Sequence, residues 1–286
     1  MPADDNSPDS SNQPLSQFGG TEQLQAAAAQ LTGNTVSVSP GGATFPTIAA
    51  ALASITDNSL RKQYVITAGP GTFNEQVTLK PYVYLHGSGQ DQTTITSPPA
   101  SGNNSFGRGT VIGASNSGVY HLTLNSLGGS WGDWSTALSI PACSLFYVSD
   151  AMLLCDDQGN AGINIETCSV NWNLGVQGAS LVYFSYVTVV ANGRSGDSTA
   201  EALAVGAQAV VQFVESKVVG EGAGQSFGGV TALGGQLTLD DCFVQGGTWA
   251  LYNSDGGSPI TANNCQFNGP VSNGVTVNNN PPPPPQ

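Results

Sequence analysis

Positive charge is scarce: the 286-residue chain has six Lys and Arg against nineteen Asp and Glu, a formal net charge of −13. A nucleic-acid binder needs clustered cations to displace counterions from phosphate, and an anionic membrane surface repels such a chain. Long apolar runs are missing as well, because the Ala-rich stretches 26–29 and 49–53 fall far short of a span, which takes ~20 apolar residues. Neither a nucleic-acid partner nor membrane insertion is expected. Asp4 and Asp5 stand where a secretory leader carries cations, and no apolar segment follows them, so no Sec signal is legible. The five cysteines, Cys143, Cys155, Cys168, Cys242 and Cys265, form no C-x-x-C pair. Stacked structural thiols are expected from them, with no metal site and no cofactor.

Glycine, in contrast, is abundant at 37 residues, and 39% of the chain is apolar, so the bulk of it folds. Helix-favouring charged residues thin out after Lys80, where four Glu, one Lys and two Arg remain among Gly, Asn, Ser, Thr and Val. That composition predicts short strands and many turns. Residues 1–20 read as a flexible polar tail and 278–286, with Pro281 to Pro285, as an Asn/Pro-rich tail. A helix is expected within 21–35, from the signal at 21–31, and a second over 45–55. Short β runs follow at 64–67, 77–79, 83–85 and 93–96, punctuated by Gly and Pro.

Sliding the chain against itself shows a repeat. Residues 144–149 match 180–185 at a shift of 36, 215–219 lie over 240–244 at 25, and Asp241-Cys242 lies over Asn264-Cys265 at 23. Cys143 lies over Cys168 at 25. A unit of that size is one coil of a parallel β-helix, in which like residues stack into ladders ~4.8 Å apart. Residues 36–277 then form an all-β solenoid of roughly ten coils.

The segment 36–96 carries a family likeness. It reads Val-Ser-Val-Ser-Pro-Gly-Gly, then Thr44-Phe-Pro-Thr-Ile-Ala-Ala-Ala-Leu52, then Ala68-Gly-Pro-Gly-Thr-Phe-Asn-Glu75, then Tyr84-Leu-His-Gly-Ser-Gly89 and Thr93-Thr-Ile-Thr96. It resembles the opening of right-handed parallel β-helix proteins of the pectin lyase-like superfamily, above all the pectinesterase branch and related bacterial and phage surface proteins. The resemblance implies a helix over 47–55 that caps the first coil, burying Ile48, Leu52 and Ile55. Gly69, Gly71, Gly87 and Gly89 suit bends of positive φ.

The pectinesterases that the chain resembles work with two Asp, an Arg and oxyanion-stabilising Gln residues, and their motifs are absent here. Asp156 and Asp157 are the nearest carboxylate pair and Arg194 a further catalytic candidate, although adjacent strand residues point to opposite faces. His86 and His121 have no partner evident in the sequence. Trp131, Asp133 and Trp134 in a Gly-rich loop, and Trp172 between two Asn, are the candidate carbohydrate contacts.

The expected function is a non-enzymatic structural or adhesion protein of a cell surface or virion, with polysaccharide as partner and an extracellular location. The alternatives are a carbohydrate esterase or polysaccharide lyase with a divergent or inter-subunit site, and a self-assembling filament subunit. A trimer or a filament is the expected homo-oligomer.

Overall fold

The computed structural model describes residues 34–41, 44–97, 109–127, 136–140, 145–156, 180–192, 199–205, 209–221, 225–231, 235–253 and 259–279. All of them belong to the compact unit Gly33–Gln286. The helix expected at 21–31 and the 1–20 tail lie outside them.

Ten short strands stack in parallel, each on the next: β1 (Thr35–Val38), β2 (Tyr64–Ala68), β3 (Val83–His86), β4 (Ser117–Leu127), β5 (Phe146–Asp156), β6 (Ser180–Ser185), β7 (Ala209–Val214), β8 (Gln236–Asp240), β9 (Ile260–Asn263) and β10 (Val275–Asn278). The register places like with like. An inward column runs from Ile66 through Leu85, Val119 and Val148 to Phe184 and Phe213, then Leu239 and Ala262. These side chains are buried. Phe184 and Phe213 stack with ring centroids 4.1 Å apart and planes 2° from parallel, a pairing that adds to burial of the two rings.

A second parallel ladder follows the corner after this one and includes Thr93–Ser97, Thr188–Asn192, Lys217–Glu221, Phe243–Gln245 and Gln266–Asn268. A third face is built from Val77–Thr78, Val111–Ile112 and Leu138–Ser139, and from Gln225–Thr231 with Trp249–Asn253 beside it. Successive strands around one hydrophobic bore make the chain a right-handed parallel β-helix, as expected.

The capping helix α1 (Ile48–Ser54) buries Ile48, Ala51 and Leu52 over the first coils. Thr47 is its N-cap, accepting from the Ala50 amide at 3.1 Å. Glu75 completes the cap, its two carboxylate oxygens accepting from the amides of Ile48 and Ala49 at 2.8 and 2.9 Å. Lys80 donates to the Ile55 carbonyl at the other end, 2.7 Å away. Side chains of the first coils thus pair groups that a helix leaves unpaired.

Three expectations need correction. The 25-residue overlay is one residue short: Val214 pairs with Asp240 and Lys217 with Phe243, so Glu215 stands over Asp241. A one-residue slip matters because it exchanges the two faces of a strand. Of the four glycines Gly71 and Gly89 have positive φ, whereas Gly69 and Gly87 do not, and Gly87 is required by close approach. A Cβ there would lie 2.3 Å from the His121 carbonyl oxygen. Finally, Cys242 and Cys265 are buried free thiols on successive coils, as expected, but Cys155 is disulfide-bonded. Cys143 and Cys168 lie outside the described residues.

Candidate functional site

In six successive coils, those of β4 to β9, the corner between the first and second ladders is a single residue held at positive φ. His121, Asp150, Tyr186, Glu215, Asp241 and Asn264 occupy it, with φ between 46° and 55°. Such a backbone is strained for side chains other than Gly, Asn and Asp, and here it turns the chain sharply and aims every corner side chain outward. Over these six coils one edge of the solenoid therefore carries a column of polar and aromatic groups.

Neighbours in the column bond pairwise. Nδ1 of His121 meets Oδ2 of Asp150. The Tyr186 phenol donates to Oε1 of Glu215 at 3.2 Å. The Asn264 amide donates to Oδ1 of Asp241.

Beside the middle of this column lies an open groove of about 580 Å³ lined by Tyr186, Glu215, Ser216, Lys217, Asp241 and Phe243 among others. Tyr186 is 40% exposed, an aromatic of that size open to water. The Lys217 ammonium lies 5.8 Å from the centre of the Phe243 ring. Two carboxylates on successive coils, a cation and two aromatic rings form a surface that can hold a hydroxyl-rich molecule by hydrogen bonds and ring contact.

A second cluster lies at the column's start. Asp150 accepts from Nε2 of Gln90 at 2.7 Å while meeting His121, and the His86 ring lies 4.8 Å from that of His121. Burial, then the neighbouring His121, push the His86 imidazole below the usual histidine range. Beside the cluster, Tyr84, Tyr120, Tyr147 and Tyr183 stand on successive strands β3 to β6, with Tyr147 and Tyr183 stacked at 5.7 Å. Burial, with Tyr147 and Tyr82 adding to it, pushes the Tyr84 phenol up to about 12. Because the faces of Tyr147 and Tyr183 turn to each other, this row binds coil to coil and leaves the groove as the open aromatic surface.

Of the residues singled out in the sequence, Asp157, Arg194, Trp131, Asp133, Trp134 and Trp172 lie outside the described residues. Asp156 ends β5 in register with Leu127. His121, for which the sequence shows no partner, meets Asp150 29 residues away, and the His86 ring lies beside it. Sequence reasoning also passed over Tyr186 and Lys217. The intervals from 121 to 150, 150 to 186, 186 to 215, 215 to 241 and 241 to 264 are 29, 36, 29, 26 and 23 residues, so no constant period marks the column.

The coil geometry has solved counterparts. Pectin methylesterase from Aspergillus niger superposes with a TM-score of 0.58 at 16% identity, over 87% of this chain and 85% of that one. The likeness shows that this chain shares the parallel β-helix fold of that enzyme. The carrot pectin methylesterase gives 0.57 at 14% identity over 86% and 88%, and pectin methylesterase PemA from Erwinia chrysanthemi 0.54 at 16% over 86% and 93%. No protein-family model matches this β-helix, and no curated protein does. At such identities the likeness concerns the fold, and one fold hosts many chemistries. Among the described residues no helix is long and apolar enough to cross a membrane, and no group of three or more His, Cys, Asp or Glu is placed to hold a metal ion.

Proposed function

We propose that this β-helix is a non-enzymatic glycan-binding protein of a cell surface or virion. It holds a polysaccharide along the corner column, in the groove beside Tyr186, Glu215, Lys217 and Asp241. The observation that carries the reading is the groove itself. Its polar groups recur once per coil, so an extended polymer of hydroxyl-rich units meets the same kind of contact at each step. Glu215 and Asp241 are both exposed, so their carboxylate oxygens are open to accept from sugar hydroxyls. The pectin methylesterases of like fold agree with a carbohydrate ligand. Trp131, Asp133, Trp134 and Trp172 are proposed as further sugar contacts.

The second reading is a carbohydrate esterase or lyase, favoured by one observation. A carboxylate that holds Nδ1 of a histidine, and is itself fixed by Gln90, is the arrangement that orients a general base. Asp156, Asp157 and Arg194 stay proposed for that reading.

Titrating the purified chain with methyl-esterified and demethylated pectins and a set of bacterial polysaccharides, while assaying product release, separates the two. Binding without turnover is expected. Turnover that disappears in His121→Ala would establish the second reading instead.

A further inference from the structure

The two ends of the solenoid are unlike. At the N-terminal end α1 lies over the first coils, its Ile48 and Leu52 buried and its termini held by Glu75 and Lys80. At the C-terminal end nothing among the described residues lies over the last coil. Val275 and Val277 of β10 continue the inward columns, in register with Ile260 and Ala262, which are 1% and 0% exposed. Val277 is 43% exposed and Val275 half-buried. Phe267, in register with the buried Val244, is also half-buried. The bore therefore opens on apolar side chains that every earlier coil covers. The edge of β10 is open too, since among the described residues its one strand partner is β9.

Three observations bear on what covers this end. Residues 281 to 285 are five prolines, and proline lacks the N–H that a strand ladder requires. Charge is nearly absent: from Phe243 to Gln286 the single charged side chain is Asp255, in a chain of net charge −13. Little like charge therefore opposes a second copy at this end. Last, head-to-tail stacking would need an open N-terminal end, and that end carries α1.

We propose that two copies of this chain join through their C-terminal coils. The two β10 edges pair antiparallel about a two-fold axis and cover Val275, Val277 and Phe267 of each copy. Such a contact is self-complementary and closed, so it stops at a dimer. It differs from the lateral trimer and the open filament expected from the sequence, and it is independent of the glycan reading.

The test is sedimentation equilibrium of the full chain from micromolar to millimolar concentration. The parent protein is expected to double its mass as concentration rises. Val277→Lys places a charge in the contact, and Thr276→Lys does so from the outward, exposed side of β10 without touching the bore. Both variants are expected to stay monomeric, with Thr276→Lys keeping the parent circular dichroism spectrum and melting midpoint. A parent that remains monomeric throughout, a dimer that survives Thr276→Lys, or growth beyond two copies would each overturn the proposal.

Discussion

The Tyr186 phenol bonds the Glu215 carboxylate of the next coil across 3.2 Å, at the mouth of the groove. This contact fixes the tilt of an aromatic ring that is otherwise open to water. Tyr186→Ala removes both the ring and the hydrogen bond. Glycan affinity is expected to fall about tenfold, equivalent to ~1.4 kcal/mol, in isothermal titration with the tightest-binding polysaccharide. Glu215→Gln keeps an acceptor for the phenol and should lose less. Unchanged affinity in Tyr186→Ala would place the binding surface elsewhere.

His86 makes stability depend on pH with a definite sign. Its folded-state pKa is depressed by burial and by His121, against a smaller opposing effect of the Gly87 backbone. The unfolded chain therefore takes up a proton at about 6.5 that the native state resists. Stability from this group is full above that pH and declines as pH falls through it, until the folded imidazole also titrates. In urea unfolding the parent midpoint should drop more between neutral and mildly acidic pH than that of His86→Gln. Parallel curves would assign the decline to other groups.

Glu75 satisfies two amides of α1 at once. Glu75→Ala leaves them to water at the solenoid's end and is expected to cost about 1–2 kcal/mol. The melting midpoint then falls by a few degrees, with Glu75→Gln falling less. A midpoint equal to the parent's would show that Thr47 caps the helix alone.

Gly87→Ala forces a methyl group against the His121 carbonyl oxygen and the Leu122 Cβ, 2.3 and 2.7 Å from the new atom. Backbone on the adjacent coil has nowhere to retreat, so a loss of about 3 kcal/mol is expected in the denaturation free energy. Gly41 has nothing within 4 Å but a φ of 71°. Gly41→Ala is expected to cost less, because it meets backbone strain without a clash.

Much of the fold was legible. The helix signal at 45–55 became α1, the β runs near 64, 77, 83 and 93 became strands, and the overlays at 36 and 23 residues match the observed register. The overlay at 25 slipped by one because Glu215 and Asp240 are alike in charge, and similarity of type outweighed alternation. Hydrophobic alternation would have found 26, since it places Phe213 over Leu239 and Val218 over Val244. The groove was not legible. Tyr186 has no near sequence neighbour that marks it, and its partner Glu215 is 29 residues away.

By itself the sequence determined the architecture. Coil-sized repeats of alternating apolar residues can bury a continuous core only by stacking, and the scarcity of charge lets equivalent positions lie one above another without repulsion. Tertiary structure alone decided which residues share an edge. The loops between corners vary in length, so His121 finds Asp150 and Tyr186 finds Glu215 only once the strands are in register. The same register leaves Val277 above Ala262 with no further coil among the described residues to cover it.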